Sequence, residues 1–194
     1  MVGKFLNLKL ILVLLFTVFI LVIISLGSIF PNASNQGYAP AQPIAFSHKI
    51  HAGTNKIGCI YCHTGAERSR HATVPALSIC MNCHRVVGLD KPDIQKLLKN
   101  FQEKRPIEWI RVHELADYVY FPHKRHVKIG VACEICHGDV KNMDVIEQYA
   151  PLTMGWCIDC HRGITTPKQL LSRLKPKEDH YKEVGPTHCT ACHN

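Results

Sequence analysis

The sequence predicts a mainly α-helical protein with extensive loops and one N-terminal transmembrane helix. Three observations support this fold class. Residues 10–30 are almost continuously apolar, the rest of the 194-residue chain lacks long Leu, Ile and Val runs, and ten cysteines recur in one short motif. An anchor of about thirty residues would leave about 160, which is the size of one compact domain.

The apolar run is long enough to cross a bilayer. Residues 10–47 contain no Asp, Glu, Lys or Arg, and the stretch from Leu10 to Phe30 would measure roughly 30 Å as a helix. Lys4 and Lys9 precede it, and positive residues favour the cytoplasmic side of a membrane. We therefore expect a single-pass protein of the inner membrane whose main domain lies on the periplasmic side.

Residues 31–45 are rich in Pro, Asn, Gln and Ala and are predicted to form a linker with little intrinsic structure. The expected organisation is an anchor over residues 1–30, a linker over 31–45 and a domain over 46–194. The alternative to a retained anchor is a signal peptide cut within residues 32–34. The apolar region of a signal peptide is usually only about 7–15 residues long, which favours the anchor.

All ten cysteines belong to five copies of a Cys-x-x-Cys-His motif. The cysteines are Cys59, Cys62, Cys80, Cys83, Cys133, Cys136, Cys157, Cys160, Cys189 and Cys192, and the histidines are His63, His84, His137, His161 and His193. In such a motif the two thiols add to the two vinyl groups of a haem, and the adjacent histidine binds the iron as its proximal ligand. Zinc sites built from paired motifs would leave one pair over. The sequence therefore predicts five covalently bound c-type haems.

Five haems would also explain the composition of the chain. With roughly 33 domain residues for each haem, the cofactors themselves would form the apolar interior. The formal net charge is +8, which could indicate a nucleic-acid partner. The ten propionates of five haems would more than cancel this charge, so we expect the basic residues to pair with propionates and expect no nucleic-acid partner.

Eight further histidines are candidates for the sixth iron ligand: His48, His51, His71, His113, His123, His126, His180 and His188. A Phe-x-His-x-x-His element begins at Phe46 and again at Phe121, 75 residues later, and the haem motifs at Cys59 and Cys80 recur after 74 and 77 residues. The chain is thus predicted to contain a duplicated two-haem unit, about 46–90 and 121–165, and a fifth haem site at the C-terminus.

The Phe-x-His-x-x-His element resembles the start of small tri- and tetrahaem cytochromes of the class III, or c7-like, type. The resemblance implies that His48 binds the haem on Cys59 and Cys62, and that His51 binds a haem later in the chain. By the duplication, His123 would bind the haem on Cys133 and Cys136, and His126 is a further distal candidate.

His71 lies between the first two sites and is the natural distal ligand for the haem on Cys80 and Cys83. Its counterpart in the second unit should fall near residues 146–148, where there is no histidine. Met143 is then the nearest candidate for the haem of the Cys157 motif, because a thioether can bind haem iron and raises its potential relative to a second histidine. Met143 could equally be a core-filling side chain.

Two other side chains could serve the haem of the Cys157 motif, His113 and Met154. His113 lies outside the duplicated unit but close to its second copy, and we expect it to bind iron. The roles of His180 and His188 stay open, because His188 directly precedes Cys189 and is poorly placed to reach the opposite haem face.

Two helices are expected between the motifs. One should open at Asp90 to Pro92, with Asp90 as its N-cap, and run to about Lys104. The other should start at Pro167 and end before Pro176. Both should cover haem edges.

The whole layout resembles the pentahaem cytochrome c subunit of alternative complex III. The features that carry the resemblance are the anchor, the five motifs, both Phe-x-His-x-x-His elements, the segment from Arg111 to His126 and the segment from Met154 to Arg162. It implies an electron-transfer subunit that is not an enzyme on its own. The implied partners are an iron–sulfur subunit, polytopic quinol-binding membrane subunits and a monohaem cytochrome c, with a soluble carrier or terminal oxidase as acceptor.

The residues alone support a narrower function. Haems with two histidine ligands have no open coordination position, so they suit electron transfer and not substrate turnover. One alternative is a membrane-anchored quinol dehydrogenase that feeds a periplasmic reductase, although that type usually has four closely spaced sites. Another is an enzyme with one five-coordinate haem, which would bind carbon monoxide when reduced.

Overall fold

The computed structural model describes residues 2–29, 34–174 and 184–193. Within them the chain forms helices and irregular loops without a β-strand, apart from one isolated antiparallel bridge between Val119 and His193. This confirms the predicted mainly α-helical class. The chain divides into two units, residues 1–34 and residues 35–194.

The first unit contains one long helix, α1 (Val2–Ile29). Its segment Asn7–Leu26 has 20 residues and a mean hydropathy of 3.0. At a rise of 1.5 Å per residue, this segment is about 30 Å long. It is therefore long and apolar enough to cross a membrane, as the sequence predicted.

The second unit is built from short helices joined by loops. These are α2 (Cys59–Cys62), α3 (Leu77–His84), α4 (Pro92–Gln102), α5 (His123–Lys128), α6 (Cys133–His137), α7 (Met154–His161) and α8 (Lys168–Leu174). A π-helical turn spans Lys49–Thr54, and 3-10 turns span Thr64–Glu67, Val140–Asn142 and Cys189–Ala191. Each predicted haem motif therefore starts or ends a short helical segment.

The apolar core of the second unit is small and lies at one place, between α3 and α4. Ile44, Met81 and Leu97 are buried there. Helix α4 presents Ile94, Leu97, Leu98 and Phe101 to this cluster, which is the i, i+3, i+4, i+7 pattern of one helical face. Among the described residues, so small a core leaves most of the second unit without an apolar interior of its own.

The two helices expected between the motifs are present, with shorter bounds. Helix α4 ends at Gln102, and its N-cap is Lys91, not Asp90. Pro92 occupies the first turn, where a missing N–H costs nothing. Helix α8 (Lys168–Leu174) occupies the second expected position.

Residues 35–45, which were expected to belong to a linker, pack against the rest of the second unit. The Gly37 N–H donates to the Gln148 carbonyl at 2.8 Å, and the Gln148 N–H donates to the Tyr38 carbonyl at 3.0 Å. Ile44 is 6% exposed in the core cluster. The segment has little secondary structure of its own, and these long-range contacts hold it in place.

Candidate haem sites

The cysteine pairs lie where a haem could attach. All ten cysteines are free thiols. Helices α2 and α6 begin at the first cysteine of their motifs, and α3 and α7 end at the histidine of theirs. The two thiols of each motif are thus held on one helical turn, with the histidine directly after them.

All five motif histidines have a hydrogen-bond partner at Nδ1, and in four cases it is a main-chain carbonyl oxygen. The Nδ1 to oxygen distances are 2.7 Å for His63 to Thr73, 3.0 Å for His84 to Val87, 2.6 Å for His161 to Pro186 and 3.4 Å for His193 to Tyr118. Because a carbonyl can only accept, Nδ1 must donate. The proton then sits on Nδ1 and leaves the lone pair of Nε2 for a metal.

Four of these histidines face a second imidazole across a gap. The ring centres are 6.5 Å apart for His48 and His63, 6.0 Å for His51 and His84, 6.4 Å for His123 and His137, and 6.1 Å for His126 and His161. An imidazole nitrogen binds a transition metal at about 2 Å and lies about 1 Å from its ring centre, so two imidazoles on one metal have centres roughly 6 Å apart. Each gap is wide enough for one metal ion that both imidazoles would hold.

The electrostatic surroundings keep several of these rings neutral. Burial, then the neighbouring His63 and His51, lower the pKa of His48 to about 4. Burial and the surrounding histidines also lower the pKa of His137 to about 4. Burial lowers the pKa of His126 as well. A neutral imidazole is the form that binds a metal, so this environment suits iron ligation.

The two Phe-x-His-x-x-His elements have nearly the same geometry. Phe46 meets His48 edge-on at 4.9 Å and stacks on His51 at 4.3 Å. Phe121 meets His123 edge-on at 4.9 Å and lies over His126 at 4.4 Å. In each copy the first histidine faces the nearer motif and the second faces the next motif along the chain. The duplication seen in the sequence therefore recurs in three dimensions.

Two distal assignments made from the sequence differ from this arrangement. The structure brings His51, and not His71, to the ring of His84. It brings His126, and not Met143, to the ring of His161. Met143 ends the 3-10 turn Val140–Asn142, and its carbonyl accepts from the Lys49 N–H at 2.9 Å. The second histidine of each Phe-x-His-x-x-His element reaches the later motif, although it does not lie between the two motifs in the sequence.

Met154, the other sulfur candidate, is 66% exposed at the start of α7. His113 lies behind His137, with its Nε2 3.1 Å from the Nδ1 of His137. Because His123 faces the other side of His137, the structure does not place His113 opposite a motif histidine within the described residues. No pattern in the sequence indicates the contact between His113 and His137.

The fifth motif is held by the segment before α5. His193 forms the isolated bridge with Val119, and the Tyr120 N–H donates to the Cys192 carbonyl at 2.7 Å. Among the described residues, no histidine ring pairs with His193 across a gap, and its ring neighbour is Tyr118, at 5.6 Å. His71 and His188 are both exposed. His180 lies outside the described residues.

The motifs form a chain of neighbours. Burial and the nearby Cys62 raise the pKa of Cys80, which places the second motif beside the first. Burial and then Cys59, through its charge and a hydrogen bond, raise the pKa of Cys133, which places the first motif beside the third.

The remaining neighbours follow in the same way. Burial, then Cys160 and Cys157, raise the pKa of Cys136 to about 11. Burial and then Cys192 raise the pKa of Cys157. These neighbours join the second motif to the first, the first to the third, the third to the fourth and the fourth to the fifth.

A basic cavity of about 460 Å³ opens beside α5. Its charged lining consists of Arg68, Arg70, Lys124, Arg125 and Lys128. Arg70 also donates to the Val119 carbonyl at 3.1 Å and lies over the Tyr120 ring at 4.5 Å. Helix α5 also carries His123 and His126, and the Nδ1 of His123 lies 2.9 Å from the Arg70 carbonyl oxygen. Cations of this kind are suited to pair with carboxylates of a bound group.

Comparison with known proteins agrees with this geometry. Residues 125–194 match the cytochrome c3 family model. The matched segment contains the third, fourth and fifth Cys-x-x-Cys-His motifs. The chain is also similar to the multihaem cytochrome c subunit of menaquinone reductase from Nitratidesulfovibrio vulgaris, with 29% identity over 114 residues, 53% of this chain and 54% of the relative. The chain thus spans about half the length of the curated relative it matches.

Proposed function

We propose that the chain carries five c-type haems and serves as the electron-transfer subunit of a membrane complex that oxidises quinol. The observation that carries this proposal is the set of four imidazole pairs, each about 6 Å apart, next to four cysteine pairs. Such haems have both axial positions filled, so they pass electrons without binding substrate. The chain would not be an enzyme by itself.

Different residues of the chain would hold the haem, bind its iron and neutralise its charges. The paired thiols fix each haem, the paired imidazoles hold its iron, and the main-chain carbonyls behind the motif histidines set their tautomer. The cations of the basic cavity, such as Arg70 and Lys124, would neutralise propionates. The haem itself supplies the one-electron chemistry.

Electrons would follow the spatial order of the motifs. The second and fifth sites are the two ends of the chain of neighbours, and the first, third and fourth lie between them. Gly53 supports the junction between the first and third sites, because a Cβ there would collide with the carbonyl oxygen of Lys141. One end would receive electrons from the complex and the other would release them.

His71 is our assignment for the iron of the fifth site. Eight histidines form the four pairs and His113 lies behind His137, which leaves His71 and His188 among the described residues. His188 directly precedes Cys189 of the fifth motif and is poorly placed to reach the opposite haem face. Its neighbour Arg70 contacts Val119, the residue that bridges to His193. Replacement of His71 by Ala should convert one haem to a high-spin form that binds carbon monoxide. A fully low-spin spectrum in this variant would show that His71 is not the ligand of the fifth site. The four imidazole pairs would be unaffected by that result.

We infer the placement in the membrane from α1 and from the basic residues that precede its apolar segment. Lys4 and Lys9 precede the apolar segment, which favours a cytoplasmic N-terminus and a periplasmic haem unit. The chain resembles the pentahaem subunit of alternative complex III. By this resemblance its partners would be an iron–sulfur subunit, polytopic quinol-binding subunits and a monohaem cytochrome c. The acceptor would be a soluble carrier or a terminal oxidase.

A second candidate is the opposite direction of electron flow. The curated relative is a subunit of a menaquinone reductase, so the same haem chain could deliver electrons to a quinone. The order of the haems alone is compatible with either direction of electron flow.

The test is purification of the native complex from detergent-solubilised membranes through a tag on this chain. Mass spectrometry should identify an iron–sulfur subunit and polytopic membrane subunits. Added quinol should reduce the haems, as measured by the α band, and a quinol-site inhibitor should prevent this reduction. The inhibitor-treated complex is the control, and its haems should still be reduced by dithionite.

The two candidate functions predict different results in this test. Reduction of the haems by quinol under these conditions supports the first. Haems that stay oxidised with quinol, but are reoxidised by added quinone after chemical reduction, support the second. A chain that carries its haems but purifies alone would overturn both.

A further inference from the structure

The side chain behind His137 distinguishes the third site from the other four. The motif histidines of those sites donate Nδ1–H to a main-chain carbonyl. His137 instead meets the side chain of His113, with 3.1 Å between Nδ1 of His137 and Nε2 of His113. The ring centres are 4.4 Å apart and the ring planes are inclined at 73°, so the hydrogen bond is bent out of the plane of at least one ring.

The segment that carries His113 is fixed on both sides. The Gln42 side chain accepts from the Ile110 N–H at 2.9 Å and donates to the Ile110 carbonyl at 3.0 Å. The side-chain oxygen of Gln148, a residue only 1% exposed, accepts from the Glu114 N–H at 3.1 Å. His113 is therefore held in this position by contacts from two distant parts of the chain.

The direction of the hydrogen bond follows from the proposed iron ligation. When Nε2 of His137 binds iron, its proton must lie on Nδ1, so His137 donates and Nε2 of His113 accepts. An imidazole nitrogen is a stronger base than an amide carbonyl. It therefore draws the proton of His137 further away, which makes His137 a more electron-rich ligand and stabilises ferric iron.

We propose that His113 is a positioning residue that accepts the Nδ1 proton of His137 and lowers the reduction potential of the haem on Cys133 and Cys136. This inference rests on the proposed haem assignment. It differs from a role for His113 as an iron ligand, because the opposite face of that site is occupied by His123, 6.4 Å from His137. This hydrogen bond would tune the reduction potential of the third haem, which lies between the two ends of the chain of five.

The test compares His113→Leu with His113→Gln in the full-length, haem-loaded protein. Leu removes the acceptor, whereas the Gln amide oxygen can replace Nε2 with a weaker one. The haem content of each variant is measured first by mass, and potentials are then measured by redox titration with optical and electron paramagnetic resonance (EPR) detection. Haem content that is already low in the unaltered protein would count against the proposed function, and not against His113.

With Leu, one of the haem potentials should rise and the others should stay unchanged. The expected size is about a tenfold change in the ratio of reduced to oxidised haem at a fixed potential, the lower end of what loss of such a partner causes at metal sites. For a one-electron couple this is about 59 mV. Gln should give a smaller rise. If the Leu protein does not accumulate, Asn serves instead, because its shorter amide cannot reach His137 and should shift the potential more than Gln.

Three results would overturn the proposal. One is a set of unchanged potentials in the Leu variant with full haem content. Another is an equal shift with Leu and Gln, which would indicate packing and not hydrogen bonding. The third is a new high-spin haem in the Gln variant, which would show that His113 is itself an iron ligand.

Discussion

Replacement of His126 by Ala tests the pairing of the imidazoles most sharply. The ring centres of His126 and His161 are 6.1 Å apart, which leaves room for one iron and its two Fe–N bonds. Removing one imidazole opens one coordination position in one haem. The reduced variant should therefore bind one carbon monoxide per chain more than the unaltered protein, about one fifth of the haem if five are present.

The assay is an optical titration of the dithionite-reduced protein with carbon monoxide, together with EPR of the oxidised form, which should gain one high-spin signal. Met143→Leu is the matched control, since Met143 was the nearest candidate ligand that the sequence offered for the same haem. The control should stay fully low-spin. Carbon monoxide binding after Met143→Leu, and none after His126→Ala, would refute the pairing.

Two further predictions concern packing. In Gly185→Ala the new Cβ would lie 2.9 Å from Cγ of His161, so the ring must shift, and overpacking of this kind costs about 1–3 kcal/mol. The denaturant midpoint of the haem-loaded protein should fall, whereas Gly155→Ala, with no atom within 4 Å of the new Cβ, should leave it unchanged or higher. Equal midpoints would show that His161 is not confined by Gly185. In Gln148→Leu the Glu114 N–H loses its acceptor, which should cost about 1–3 kcal/mol in the same measurement. A midpoint unchanged by that substitution would show that this hydrogen bond does not stabilise the fold.

The sequence alone was sufficient to predict the features that depend on residues close together in the chain. The apolar run of α1, the five cysteine motifs and the two helices between them are all local patterns. Pro92 and the apolar spacing from Ile94 to Phe101 explain why α4 forms where it was expected. The duplication was also visible, because each Phe-x-His-x-x-His element is contiguous.

The partners of the distal histidines could not be read in the same way. His51 and His126 meet histidines more than thirty residues later, and no local pattern shows which motif they face. Assuming that each ligand lies between two motifs led to His71 and Met143 for the second and fourth sites. The three-residue spacing of each element instead directs its two rings to two different motifs.

The contacts of the segment after the anchor were also hidden in the sequence. Pro, Asn and Gln between residues 35 and 45 predict a linker, since they favour neither helix nor strand. Gln42 and Ile44 are nevertheless held by partners far along the chain, Ile110 and Leu97. Gln148, which stands near the place where a histidine was sought, has a structural role as a buried hydrogen-bonding residue.

The central claim is that five iron porphyrins, bound through ten thioether links, form the interior of the second unit. Intact-mass analysis of the protein from native membranes tests it directly, with the reduced pyridine haemochrome as an independent count. We expect a mass gain equal to five haems that survives denaturation, and an α band of thioether-linked haem. A mass equal to that of the polypeptide alone would contradict it.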